Sequence, residues 1–87
     1  MEKVYISKVL KGKEPIHSIG MLDVSSKHLY IPCVSKKGLA FIDVVECYYV
    51  DKIENGYKCT VIVVTPEGNH YVNTYFARNL TKEGGDK

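Results

Sequence analysis

The chain has 87 residues, of which 45% are hydrophobic and 25% charged, and its formal net charge is +2. This length gives one domain with one small core and excludes an active-site cleft between two domains. The composition is typical of a folded chain, no apolar run reaches the roughly 18 residues of a membrane span, and the first residues lack a signal-peptide segment. We therefore expect a cytoplasmic protein that is not inserted in a membrane.

The first half of the chain predicts three short strands, at residues 3–10, 16–24 and 29–34, where apolar side chains alternate between turn-forming segments. Gly20 in the second strand predicts a bulge or a close approach of two backbones. Pro32 in the third cannot donate a ladder hydrogen bond and therefore predicts a sheet edge or a bulge.

The second half predicts a three-strand meander formed by residues 39–50, 57–65 and 69–76. Asn55-Gly56 between two apolar runs is a strong hairpin signal, because a type I′ turn needs positive φ at both central residues. This turn predicts that Glu54 faces Tyr57.

The second turn of the meander contains Pro66 and Gly68, which suit the first corner and the left-handed position of a three-residue loop. This loop predicts that Val63 pairs with Tyr71.

These pairs place two apolar faces on the meander, because successive side chains in a strand point to opposite sides. One face, which we call the Tyr/Val face, carries Tyr48, Val50, Cys59, Val61, Val63, Tyr71 and Tyr75. The other carries Val45, Cys47, Tyr49, Ile53, Ile62, Val64, Val72 and Phe76. A sheet with one wet face alternates apolar and polar residues, so both faces of the meander are expected to be covered, one by the rest of the chain and the other by a barrel interior, a second copy or a partner.

Six strands with turn signals about every ten residues, without an internal repeat, predict an all-β fold, either a small antiparallel barrel or a sandwich. In size it is similar to SH3-like and OB-like barrels. We assign residues 1–81 to this single domain and residues 82–87 to a flexible tail.

Three cysteines, Cys33, Cys47 and Cys59, form no chelating pair and no disulfide framework. The predicted register sends Cys47 and Cys59 to opposite faces. We therefore expect reduced thiols, no metal and no cofactor. Since no catalytic motif or phosphate-binding glycine loop is present either, we expect a protein that is not an enzyme.

Lysines make up nearly all of the positive charge and lie mainly in predicted loops. Such lysines can follow a phosphate backbone, although arginine is the residue favoured for specific contacts with nucleic acids. The lysines that would act in this way are Lys8, Lys11, Lys13, Lys27, Lys36 and Lys37.

The sequence favours a non-catalytic interaction module that binds a protein partner or itself, with a homodimer expected. The predicted contact residues, all on the Tyr/Val face, are Tyr48, Val61, Val63, Tyr71 and Tyr75, because tyrosine is enriched at binding surfaces. A small chain of this kind suits an accessory or inhibitor protein of a phage or other mobile element. The alternatives are non-specific binding of single-stranded nucleic acid, with tyrosines as stacking platforms, and binding of a nucleotide or small molecule at an oligomer interface.

Overall fold

A computed structural model describes residues 1–8 and 16–80 and shows an all-β fold, as predicted. The predicted tail, residues 82–87, lies outside the described residues. The strands are β1 (Glu2–Lys8), β2 (Ile16–Asp23), β3 (His28–Val34), β4 (Ala40–Glu46), β5 (Tyr49–Ile53), β6 (Gly56–Val64) and β7 (His70–Asn79). They form one antiparallel sheet in the order β4-β3-β2-β1-β7-β6-β5.

The described strands number seven, so the prediction of six was wrong by one. The difference lies in residues 39–50, which were predicted as one strand. In the structure β4 pairs with β3 and β5 pairs with β6, so the two pieces form the opposite edges of the sheet. Cys47 and Tyr48 connect them, and we call these two residues the link.

The link also shifts the alternation of side chains by one residue. Val45 pairs with the buried Leu29, and Val50 pairs with the buried Cys59, so both lie on the core face although their numbers differ in parity. The prediction that Val45 and Cys47 lie on the opposite face from Val50 was therefore wrong, because it assumed an unbroken strand.

Because the link is short, the sheet must curl. Three Cα–Cα steps hold Glu46 and Tyr49 within about 11 Å of each other, whereas the edges of a flat seven-stranded sheet would be about 29 Å apart. The Cys47 amide donates a hydrogen bond to the Lys27 carbonyl and the Tyr48 amide donates one to the Thr60 carbonyl, at 2.8 and 2.7 Å. The link is thus bonded to both halves of the sheet, and the result is a curled half-barrel.

The concave face of the half-barrel holds the core. The fully buried side chains lie on the strands near the link and on β1. Tyr57 lies on the same concave face, and its hydroxyl donates a hydrogen bond of 3.1 Å to Glu2, which lies on the far side of β7. The buried hydrophobic residues are Val4, Ile6, Leu22, Leu29, Ile31, Cys47, Cys59, Val61 and Ala77. The core is therefore concentrated at one end of the molecule.

Two hairpins extend beyond this core as two-stranded ribbons. In the described part of the chain, the pairing of β2 with β3 stops at Tyr30, and the pairings of β6 with β5 and of β7 with β1 stop at Thr60 and Tyr75. Among these residues, 31–43 and 61–73 consequently pair only within their own hairpins, and we call them arm 1 and arm 2. They contribute to an elongated shape, with extents of 50 × 33 × 28 Å.

The two arms have the same local structure at positions 30 residues apart, an internal repeat that the sequence did not reveal. In arm 1 the Ser35 amide bonds the Leu39 carbonyl and the Gly38 amide bonds the Ser35 carbonyl; in arm 2 the residues 30 positions later make the same two bonds, with all distances 2.8–2.9 Å. The hydroxyls of Ser35 and Thr65 each accept an amide hydrogen bond of 3.1 Å from the residue four positions later.

The second turn of the meander has the predicted register. Val63 pairs with Tyr71, and Gly68 has a φ of 88°. The first turn lies one residue earlier than predicted, because Glu54 and Asn55 occupy its two central positions and Ile53 pairs with Gly56, and the pairing register of β5 with β6 therefore shifts by two residues. A register shift of two residues keeps the side chains of β5 and β6 on their predicted faces, so this error leaves the Tyr/Val face of these strands unchanged.

Gly20 and Pro32 occupy positions that agree with their predicted roles. A Cβ atom at Gly20 would lie 2.2 Å from the Tyr30 carbonyl oxygen, which is the close backbone approach expected. Pro32 lies in arm 1, where β3 has lost its pairing with β2. A missing amide hydrogen is tolerated in such a two-stranded segment.

The first turn supplies a stability prediction. At Gly56 a Cβ atom would lie 2.3 Å from the Ala77 carbonyl oxygen, whereas at Gly38, where φ is 84°, it would meet nothing within 4 Å. We expect Gly56→Ala to lower the free energy of unfolding by about 2–4 kcal/mol, from steric overlap with a backbone that cannot move freely. Gly38→Ala should cost about 1 kcal/mol, from its positive φ alone. Urea unfolding of both variants checks this, and equal losses would contradict the close approach of β6 to β7.

Candidate interaction surface

The residues predicted to bind a partner divide into a buried and an exposed group. Val61 is 9% exposed and belongs to the core, and Val63 and Tyr75 are half-buried against it. Tyr71 and Tyr48 are 50% and 57% exposed. The Tyr/Val face is thus core near the link and open to solvent along arm 2.

Tyr48 lies in the link instead of on a strand. Its ring packs edge-to-face against that of Tyr49, with centroids 4.7 Å apart. Tyr48 also borders a small surface depression of about 170 Å³, together with Glu46, Cys47 and Ile62. The exposed aromatic pair is therefore continuous with the base of arm 2.

Both arms expose large hydrophobic side chains, four on each. Phe41 and Tyr71 occupy equivalent positions on the concave face, while Ile42 and Val72 do so on the convex face. The full set is Val34, Leu39, Phe41 and Ile42 on arm 1, and Ile62, Val64, Tyr71 and Val72 on arm 2. Each arm is therefore apolar on both sides, as the sequence predicted for the meander.

Arm 1 also carries an apolar depression of about 340 Å³. Its lining is almost free of polar side chains and consists of Pro32, Cys33, Val34, Ala40, Phe41 and Ile42. This depression was not predicted from the sequence, because the predicted contact residues all lie on the Tyr/Val face of the meander. The signal that could have found it is the match of Ser35 to Gly38 with Thr65 to Gly68, which places Phe41 where Tyr71 stands in arm 2.

The two edge strands of the sheet carry charges that oppose further strand pairing. Asp43 on β4 points to the concave face, as does Lys52 on β5, whose ammonium lies 4.8 Å from the Tyr57 ring centre. Charged residues on edge strands, especially inward-pointing ones, are a common protection against edge-to-edge association. The accessible apolar area is thus on the faces of the arms.

The arms have the same shape but opposite formal charge. Arm 1 carries Lys36 and Lys37 at its tip and Asp43 near its base. With histidine counted as neutral, the charge in residues 61–73 of arm 2 is that of Glu67 at the tip. Lys37 and Glu67 occupy equivalent positions in the two turns. The tips therefore differ in sign at matching places.

The lysines predicted for the nucleic-acid alternative do not form one patch in the described part of the chain. Lys36 and Lys37 lie at the tip of arm 1, while Lys27 lies at the other end of β3, about 23 Å away along seven strand residues. Lys8 lies over the Tyr75 ring, at 5.1 Å from its centre. Lys11 and Lys13 lie outside the described residues.

Cys47 and Cys59 lie together in the core, which corrects the prediction that they point to opposite faces. The reason is the shift of alternation at the link. Both thiols are buried, and the hydrogen bond from Cys59 to Cys47, together with burial, raises the pKa of Cys59 well above its usual range. Cys33 on arm 1 is half-buried and bonds the Ile31 carbonyl at 3.4 Å. All three are free thiols.

Within residues 1–8 and 16–80, no group of three or more potential ligands is placed to hold a metal ion. The same residues include no helix of the length and hydrophobicity needed to cross a membrane. Comparison with protein-family models, curated proteins and solved structures found no match to this chain.

The placement of the thiols gives a prediction about their reactivity. In the native protein we expect an alkylating reagent to modify Cys33 first, because Cys47 and Cys59 are buried and a protonated, buried thiol reacts slowly. All three should react once the protein is unfolded. Mass spectrometry of timed samples checks this order, and rapid native modification of Cys59 would show that the core near the link is open.

Proposed function

We propose that the protein is a non-catalytic interaction module whose contact surface is formed by the apolar faces of arm 1 and arm 2. The observation that carries this proposal is that each arm exposes four large hydrophobic side chains on a ribbon that, among the described residues, pairs with no further strand. An exposed apolar surface of this extent in a soluble chain is typical of a binding site.

The magnitude of the exposed area supports the proposal. The eight side chains are each between 41% and 69% exposed. Together they offer on the order of several hundred Å², which approaches the approximately 800 Å² that one partner contributes to a standard interface. At about 25 cal/mol per Å², covering them is sufficient for micromolar association after the costs of ordering both partners.

The alternatives have less support. Ribbons that follow a phosphate backbone need clustered positive charge, and here the arms have formal charges of opposite sign with apolar faces. The depression on arm 1 falls within the size range of small-molecule sites, but its lining lacks the convergent polar groups that orient a nucleotide. The proposal retains the accessory or inhibitor role and the cytoplasmic location expected from the sequence.

The experiment that tests this function measures the native complex. The tagged chain is purified from its own cells and its mass is determined by light scattering, for the wild type and for the double variant Phe41→Lys, Tyr71→Lys. We expect the wild type to elute in a complex heavier than one chain, with itself or with another protein. The double variant should elute as a folded single chain, because two lysines make burial of both arms unfavourable.

Ile19→Lys is the matched control. Ile19 is 50% exposed, compared with 49% for Phe41 and 50% for Tyr71, but it lies on β2 outside the arms. It should leave the mass of the complex unchanged. The proposal is wrong if the arm variant and the control behave alike, or if circular dichroism shows that the arm variant is unfolded, which would place these side chains in the core.

A further inference from the structure

The two arms are alike in shape and opposite in charge, and this combination favours one particular partner. Their turns make the same hydrogen bonds, and Phe41 and Tyr71 stand at equivalent positions on the concave face. A surface that fits against arm 1 therefore resembles one that fits against arm 2. The difference between them is charge, with lysines at one tip and a glutamate at the other.

A second copy of the chain supplies both surfaces at once. In a two-fold dimer, if arm 1 of one copy contacts arm 2 of the other, the symmetry repeats that contact with the roles exchanged. When the packed arms point in the same direction, both contacts bring Lys36 and Lys37 toward the partner's Glu67. Pairing each arm with its own counterpart would bring like formal charges together at both contacts, which is unfavourable.

We propose that the protein forms a two-fold homodimer in which arm 1 of each copy packs face to face against arm 2 of the other copy. This inference rests on the proposed function and names the occupant of the arm surfaces. It predicts an apolar contact centred on Phe41 and Tyr71, with the charged tips at its rim. Face-to-face packing agrees with the charges on both edge strands of the sheet, which oppose edge-to-edge pairing.

The crossed arrangement, with arm 1 of each copy on arm 2 of the other, covers more of the arms than a dimer that uses one arm of each copy. Both arms of each copy then contribute the exposed side chains of one face, with Phe41 and Tyr71 on the concave face. A dimer that used one arm of each copy would bury half of this area and would leave the other arm exposed.

Charge reversal at the tips tests the crossed arrangement in the full chain. The dimer dissociation constant is measured by sedimentation equilibrium at low salt for three variants: Lys36→Glu with Lys37→Glu, Glu67→Lys alone, and all three substitutions together. The first two should each weaken the dimer about fivefold, because like charges then meet at the rim. The triple variant restores opposite signs across the contact and should return to within about threefold of the wild type.

The control variant changes the net charge by the same amount as the two lysine substitutions, but at positions outside the arms. Lys3→Glu with Lys58→Glu matches the lysine substitutions but lies on β1 and on the part of β6 that pairs with β5. It should leave the dissociation constant unchanged. Three variants that all keep the wild-type dissociation constant would overturn the crossed arrangement, because in pairing of like arms each substitution reverses both charges at a contact and leaves their repulsion unchanged.

Failure of this inference is distinguishable from failure of the proposed function. A purified chain that stays monomeric at about 200 micromolar overturns the homodimer. If the complex from native cells still contains another protein and is lost in Phe41→Lys, Tyr71→Lys, the arms bind a partner other than a second copy. The homodimer is then overturned, and the arms remain the contact surface. If that variant leaves the native complex intact, the arms are not the contact surface and both proposals are overturned.

Discussion

The two-residue link between β4 and β5 is the constraint on which the rest of this structure depends. Because it joins the two edges of a seven-stranded sheet, the sheet must curl, and curling collects the core on the concave face near the link. The curl closes that end only. Among the described residues the pairing with neighbouring strands ends at Tyr30, Thr60 and Tyr75, so the hairpins continue as arms with exposed apolar side chains.

The same strands therefore contribute both buried core side chains and exposed arm side chains. On the concave side, Cys59 and Val61 are buried, while farther toward the tip of arm 2 Val63 is half-buried and Tyr71, which pairs with it, is exposed. The small core leaves limited stability in reserve, and covering the arms would add to it. Association and stability are therefore expected to be coupled in this protein, and a larger complex is expected to unfold at a higher temperature than the free chain.

Part of this arrangement could be predicted from the sequence. Apolar residues on both sides of residues 61–64 indicated a strand with two apolar faces, and the Pro66 to Gly68 turn gave the correct register for Val63 and Tyr71. The bend at Cys47 could not be predicted, because residues 39–50 contain no glycine or proline after Leu39 and read as one strand. That error produced the wrong strand number and separated Cys47 from Cys59. The equivalence of the arms was also missed, since it lies in hydrogen-bond geometry and in similar residue types instead of identical ones.

Amide hydrogen exchange measured by NMR at several protein concentrations tests the central claim most directly, namely that one end of the sheet is a closed core and the arms are a surface covered by association. In dilute protein we expect slow exchange at core residues of β1 and at the ends of β6 and β7 that pair with β5 and β1, and fast exchange along residues 31–43 and 61–73. With rising concentration, protection should increase on both arms together and remain constant in the core. Equal protection of arms and core in dilute protein, independent of concentration, would contradict this claim.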